Sequence, residues 1–180
     1  TTWSVALQRL RETKPAAVDL LTLASFLASD DLPQPLLAAH HDQLPEPLAA
    51  TAADPLALAD AVAALRRYSL IRVVADGLYL HRLLQTVVRA SLAAEVQRAW
   101  VAVAVRLLEV AFPVESDQVV NWSECERLLP HVLAVADHGR RLSVESEGCL
   151  SLLGHAGTYL LSRGRYRQAL TLYEQAIAGL

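Results

Sequence analysis

The chain has 180 residues, of which 53% are hydrophobic and 19% charged, so its apolar content is sufficient for a core and excludes a disordered chain. Its 34 leucines and 30 alanines, against 7 glycines, favour packed helices over strands, and we predict a mainly α protein. The net charge of −3 argues against a whole surface that attracts nucleic acid or anionic lipid, and points to protein partners.

The sequence has few features that indicate a cellular location, a disulfide bond or a metal site. The chain has no secretory apolar segment at its start, and its longest uncharged stretch, 148–162, has 15 residues where a membrane span needs about 20. We therefore expect a cytoplasmic chain with no membrane partner. Cys125 and Cys149 have no metal-binding or disulfide spacing, so neither a disulfide framework nor a metal site is expected. The chain stops inside a predicted helix, as a piece of a longer protein would.

The first two predicted helices are separated by a proline. Residues 1–14 carry apolar side chains at helical spacing and are predicted to form a lead-in helix from a preceding domain. Pro15 is suited to the first turn of a second helix, because the N–H that proline lacks would be unpaired there. A polar break at 29–31 ends this helix.

Two more helices are predicted before residue 70. A short third helix opens at Asp31 or Leu32 and runs to His40, followed by a proline-rich connector. Asp54 is a good N-cap, and Pro55 fits the first helical position behind it. The fourth helix therefore begins here and continues to about residue 67.

The segment from 70 to 81 departs from the helical pattern. Three of the residues 70–74 are β-branched, Asp76 and Gly77 form a two-residue turn signal, and 78–81 can return as an antiparallel strand. A further helix follows. Short helices, one β-hairpin and a helix in this order predict a winged-helix domain at 15–91, with the hairpin as its wing.

The remainder is predicted to be helical throughout. One helix spans 92–112, and another runs from Trp122 to His138 with Pro130 interrupting it, so we interpret 92–140 as a helical linker or degenerate repeat. A last helical pair completes the chain.

That last pair matches the pattern of a tetratricopeptide repeat, a helical hairpin of about 34 residues, at 141–180. Small residues let the two helices approach closely, a glycine permits the turn, and two tyrosines fill the groove toward a neighbouring repeat. A single repeat leaves an apolar face open, so we expect a truncated array, a protein or peptide partner, and a homodimer of this piece through its exposed end. The matching positions are Ala156, Gly157, Leu160, Gly164, Tyr166, Ala169, Tyr173 and Ala176.

Four stretches, 68–71 and 78–89 with 23–28 upstream and 128–132 downstream, resemble the winged-helix and linker region of bacterial STAND-type signalling ATPases. These proteins carry an NB-ARC-like nucleotide-binding module followed by tetratricopeptide repeats. The resemblance implies that the winged helix closes over ADP in the resting state and swings away on activation. It also implies ADP or ATP as the cofactor of the parent protein, and the protein's own nucleotide-binding domain as a partner in cis.

By this resemblance His81 occupies the position of the histidine in a Met-His-Asp motif, which contacts the β-phosphate of ADP. An imidazole at the start of a helix is a directional donor to phosphate oxygen, and the helix N-terminus adds positive potential. Arg82 replaces the usual aspartate, which puts a lock through that carboxylate in doubt, although a cation can itself approach phosphate. The alternative is that His81 merely caps the helix.

No catalytic site is predicted in these residues. They contain no P-loop sequence, so this piece is not expected to hydrolyse ATP or to hold a cofactor by itself. His40, His41 and Asp42 lie together, but adjacent residues on a helix point in different directions, so no metal site is expected.

Winged helices also bind DNA, which gives the alternative function. The helix in the recognition position carries positive charge only at Arg66 and Arg67, and Arg72 on the wing is a further cation. This patch is small, so we expect nucleic acid to be the less favoured ligand. The leading hypothesis is a non-enzymatic regulatory piece of a STAND-type switch, and the alternative is a DNA-binding regulator with a repeat sensor region.

Overall fold

A computed structural model of the chain describes residues 2–144 and 146–178. In this part the fold is mainly helical with one small antiparallel sheet, in agreement with the predicted class. Its helices are α1 (Thr2–Thr13), α2 (Pro15–Phe26), α3 (Gln34–Ala39), α4 (Leu48–Ala53), α5 (Pro55–Arg67), α6 (Arg82–Ala90), α7 (Ala94–Ala111), α8 (Trp122–Leu142), α9 (Glu147–Ser162) and α10 (Tyr166–Ala178). Its strands are β1 (Leu32–Pro33), β2 (Arg72–Val74) and β3 (Gly77–Tyr79).

Helix α2 is the centre of the N-terminal half. Its side chains from Leu20 to Phe26 are almost entirely buried, and it packs against α1, α4, α5, α6, α7 and α8. Two of the predicted helix starts are confirmed. Pro15 opens α2, and the Asp54 carboxylate accepts hydrogen bonds from the N–H groups of Leu56 and Ala57 at the start of α5.

The sheet has three strands in the order β1-β3-β2. Leu32 and Val73 lie on either side of Leu78 in its register. The predicted third helix therefore begins at Gln34, because residues 32–33 form the strand β1 instead of the first helical turn. Proline is tolerated in β1 because this strand lies at the sheet edge, where one side needs no donor.

The hairpin turn lies one residue earlier than predicted. Val74 pairs with Gly77, so Ala75 and Asp76 form the two-residue turn and Gly77 is the first residue of β3. Ala75 takes a φ of 52°, a strained value for a residue with a Cβ. The sequence suggested Asp76-Gly77 because that pair is the commoner turn dipeptide.

One helix was missed. The segment after Pro47, interpreted as a connector, forms α4, and its Leu48 and Ala52 are fully buried. The prolines before it indicated a connector, and a six-residue helix is too short to show a clear periodicity in the sequence. Such a short helix depends on packing, here against α2, for its stability.

The C-terminal half is built from two helical pairs. Helix α7 packs along α8, α9 packs along α10, and α9 also contacts both α7 and α8. Helix α8 continues to Leu142, beyond the predicted end at His138, with Pro130 inside it. One continuous apolar core joins the two halves, from Leu7 in α1 to Leu172 in α10. Within the described residues, no helix combines the length and apolarity that a membrane span requires.

Candidate functional site

An open cleft of about 790 Å³ lies beside the hairpin, between the end of α5 and the start of α6. It brings together the predicted nucleotide sensors His81 and Arg82 with two residues of the predicted DNA patch, Arg66 and Arg72. Arg67 does not line it. We call this the basic cleft; its lining residues are Ser29, Asp30, Arg66, Ser69, Leu70, Ile71, Arg72, Val73, Tyr79, Leu80, His81 and Arg82.

His81 is the N-cap of α6 and is exposed to solvent. Its Nδ1 accepts a hydrogen bond from the N–H of Leu83 at 3.1 Å. A neutral ring that accepts at Nδ1 carries its proton on Nε2, so Nε2–H is a donor. Capping the helix and donating to an anion are therefore compatible roles of the two ring nitrogens.

Two arginines of the basic cleft contact uncharged partners. Arg82 Nε lies 3.5 Å from Ser29 Oγ, and the Arg72 guanidinium lies 5.1 Å from the centre of the Tyr79 ring. In the part of the chain that the structure describes, neither these two arginines nor Arg66 forms an ion pair. The cleft therefore has an excess of positive charge over its single described carboxylate, Asp30, and favours an anionic ligand.

Gln85 was not singled out in the sequence, yet it fixes the start of α6 on α2. Its side chain is buried, and Nε2 donates to the carbonyl oxygens of Ala24 at 2.9 Å and Leu27 at 3.0 Å. Carbonyl groups at a helix C-terminus have no partner within the helix, so the amide satisfies two of them. The signal available in the sequence was a polar residue at a position where helical periodicity places an apolar one.

The predicted repeat positions occupy the α9–α10 hairpin. Gly157 lies against the ring of Tyr173, whose Oη is 3.1 Å from Thr158 Oγ1, so this tyrosine packs within its own hairpin and not toward a neighbour. Gly164 takes a φ of 71° in the turn, while Tyr166 is 68% exposed. The other positions are buried or half-buried: Ala156, Leu160, Ala169 and Ala176.

The two cysteines are free thiols in apolar surroundings. Burial raises the pKa of Cys125 to about 11, and it also raises the pKa of Cys149. Both are therefore thiols and not thiolates at neutral pH. Among the described residues, no three His, Cys, Asp or Glu side chains lie close enough together to hold a metal ion.

His131 on α8 is buried and makes two polar contacts. Its Nδ1 accepts from the N–H of Ala28 at 3.2 Å, and its Nε2 lies 3.3 Å from the carbonyl oxygen of Asp31. Burial lowers the pKa of His131 below 6.5. The charge of Arg127 also lowers this pKa, whereas Asp31 and Asp30 act in the opposite direction. The ring is therefore neutral in the folded protein at neutral pH.

This depressed pKa predicts a loss of stability in mild acid. The unfolded chain binds the proton near pH 6.5 and the folded chain does not, so stability is complete above that value and falls as the pH decreases below it. Between about pH 7.5 and about pH 5.5 the loss due to His131 is up to about 1.4 kcal/mol. Urea unfolding at both pH values measures it.

His131→Gln is the matching variant, because an amide offers an acceptor and a donor without titrating. Its stability should depend less on pH than that of the wild type. Some dependence should remain, since burial also lowers the pKa of His138. An equal pH dependence in the two proteins would show that His131 is not the titrating group.

Comparison with known proteins gives one family. Residues 8–97 match a domain of unknown function (DUF7779), and since this match covers half of the chain, the protein belongs to that family. The matched region begins in α1 and ends in α7, so it encloses the sheet, the basic cleft and α6. No curated protein and no solved structure matches the chain.

Proposed function

We propose that the chain is the winged-helix and repeat region of a STAND-type nucleotide-dependent signalling switch, non-enzymatic in itself. The observation that carries the proposal is the arrangement of His81, whose Nδ1 caps α6 while its Nε2–H is available beside Arg66, Arg72 and Arg82. Donors of this kind around an open cleft suit the phosphate oxygens of ADP held by a separate nucleotide-binding domain.

The topology supports the winged-helix part of the proposal. The helices α2, α3 and α5 precede the β2–β3 hairpin, and β1 adds a third strand to it. A small sheet of this kind beside three helices is typical of winged helices. In this interpretation the hairpin is the wing, and α6 carries the sensor at its N-terminus.

The packing of α7 to α10 supports the repeat part. The helix α9 contacts both members of the preceding pair, as the first helix of a tetratricopeptide repeat contacts the repeat before it. The pair α7–α8 is then a degenerate repeat, and α9–α10 a regular one. Stacked helical hairpins present extended surfaces for a protein or peptide partner, which we propose as the ligand of this half.

The test uses the product of the complete gene that contains the chain. Wild type and His81→Ala are purified, denatured, and assayed for released ADP and ATP by chromatography, with His41→Ala as the control for loss of an exposed histidine elsewhere. We expect bound ADP in the wild type and in His41→Ala, and a loss of about tenfold or more in His81→Ala, because a charge-assisted contact to phosphate is removed. Wild type without nucleotide, or unchanged ADP in His81→Ala, contradicts the proposal.

The basic cleft also keeps a DNA-binding regulator as the second candidate, because Arg66 and Arg72 lie in it without an ion pair among the described residues. Against it, the exposed positions of α5 include Leu56, Asp60 and Ala63, which offer no phosphate contacts. Duplex binding followed at two salt concentrations separates the two functions. Salt-dependent affinity that is lost in Arg66→Ala and Arg72→Ala would favour the second candidate.

A further inference from the structure

Arg127 of α8 binds two carboxylates that belong to different segments of the N-terminal half. Its Nε and one terminal nitrogen donate to Asp31 at 3.0 Å each, and its terminal nitrogens donate to Asp76 at 3.0 and 2.7 Å. The Arg127 side chain is only 30% exposed. Bidentate pairs of this kind fix the relative position of the charged groups more strictly than a single hydrogen bond does.

The local backbone places both carboxylates for this contact. Asp31 takes a φ of 56° immediately before β1, and Asp76 lies in the β2–β3 turn. Gly77 allows the two segments to approach, since a Cβ at that position would lie 3.3 Å from both Cα and Cγ of Asp31. These features together bring two like charges onto one guanidinium.

One helical turn after Arg127, His131 binds the same part of the N-terminal half. Its ring is fully buried and lies between the N–H of Ala28 and the carbonyl of Asp31. The contacts of Arg127 and His131 therefore fall on one face of α8, as residues four apart do. Together they attach the helix to the start of β1 and to the hairpin turn.

Other residues of α8 contact the hairpin formed by α9 and α10, which we call the repeat hairpin. Glu126 accepts a hydrogen bond from the Tyr159 hydroxyl of α9, and the Arg163 guanidinium lies 4.5 Å from the centre of the Trp122 ring. The helix thus lies between the β2–β3 hairpin and the repeat hairpin, with polar contacts to both.

We propose that Arg127, Asp31, Asp76 and His131 form a latch that holds the turn of the β2–β3 hairpin on α8, and that opening the latch releases this turn from α8 while both halves of the chain stay folded. The latch grips the turn end of the hairpin, and the opposite end carries Arg72 and Tyr79 of the basic cleft. It is therefore a direct polar link between the hairpin that lines this cleft and helix α8. This inference needs no ligand and is independent of the proposed function.

Both halves should remain folded because the interface between them does not depend on the latch alone. Helix α2 packs against α7 through the continuous apolar core, and this contact is separate from Arg127. Because this apolar contact does not include Arg127, Asp31 or Asp76, it should keep the two halves together when the ion pairs are lost.

The test is amide hydrogen exchange in the 180-residue chain, followed residue by residue by NMR. Two amides report on the latch: that of Ala28, which donates to His131, and that of Gln34, which donates to the carbonyl of Asp76. The amide of Arg165, which donates to Leu160 in the repeat hairpin, reports on the rest of the fold. Arg127→Ala should speed exchange at Ala28 and Gln34 by about tenfold or more, and leave Arg165 unchanged.

Matched variants sharpen the result. Arg140→Ala removes an ion pair made within α8 to Asp137 and should change none of the three amides. Asp76→Asn keeps the turn and removes one charge, so it should speed exchange at Gln34 even if Arg127→Ala does not fold. Unchanged exchange at Ala28 and Gln34, or an equal increase at Arg165, overturns the latch.

Discussion

Gly157→Ala is expected to lower the free energy of unfolding by about 1–3 kcal/mol, the usual cost of overpacking. A Cβ at this position would lie 2.7 Å from Cε1 and 2.9 Å from Cζ of Tyr173, well inside van der Waals contact. The tyrosine cannot rotate away without losing the hydrogen bond between its hydroxyl and Thr158. Urea unfolding of the purified variant measures the change.

Gly154→Ala is the matched control, because it introduces the same methyl group one turn earlier in α9. No atom lies within 4 Å of that Cβ, so the variant should be more stable than the wild type by about 0.5–1 kcal/mol. Combining Gly157→Ala with Tyr173→Leu should recover part of the loss, because the atoms that collide are removed. Equal effects at positions 154 and 157 would show that α10 does not approach α9 as the structure has it.

Gln85→Leu is expected to lower the free energy of unfolding by about 1–3 kcal/mol, the cost of leaving buried polar groups unpaired. The substitution removes both hydrogen bonds that the side chain gives to the carbonyls of Ala24 and Leu27. These carbonyls are at the end of α2, in the most buried part of the N-terminal half. The same urea experiment measures the loss.

Two further variants test the reason. Gln8→Leu replaces an exposed glutamine on α1 and should change stability by less than about 0.5 kcal/mol. Gln85→Glu keeps the shape but has no donor while ionised, and burial raises the pKa of such a carboxyl. Its deficit relative to wild type should therefore shrink as the pH decreases and the acid regains a proton to donate. A larger deficit in acid would contradict the assigned hydrogen bonds.

Gln85 and His81 lie on the same short helix and have complementary positions. The buried amide fixes α6 on α2, and the exposed imidazole at its first turn faces the basic cleft. The segment from 78 to 89, one of the four stretches that carry the resemblance to STAND-type ATPases, thus contains one residue with a structural role and one that can donate a hydrogen bond to a ligand. The two sets of variants, stability for Gln85 and bound nucleotide for His81, separate these roles.

Several helices and strands could be predicted because the sequence signals for them are local. Asp54 and Pro55 predict the start of α5, and a cap with a proline behind it acts within a single turn. The hairpin at 70–81 was predicted from β-branched residues before a turn signal and a segment after it that could return as an antiparallel strand. Its exact turn was missed, because Ala75 takes a φ that its residue type rarely adopts and only the pairing of Val74 with Gly77 decides it.

The site could be predicted only in part. His81 and Arg82 were singled out from the segment that contains them, and the structure adds Arg66 and Arg72 to the same cleft. The latch had no signal in the sequence. Arg127 is 96 positions from Asp31 and 51 from Asp76, and nothing local distinguishes it from the other arginines of the chain.

The sequence by itself determined the helical class, the hairpin and the close helix pair around Gly157, since periodicity, caps and small residues act over a few positions. Only the tertiary structure decided that residues 32–33 form a strand, that Gln85 caps α2, and that Arg127 joins two carboxylates. Each of these depends on a partner distant in the chain, and a backbone or side-chain group reveals its hydrogen-bond partner only when the fold brings the two together.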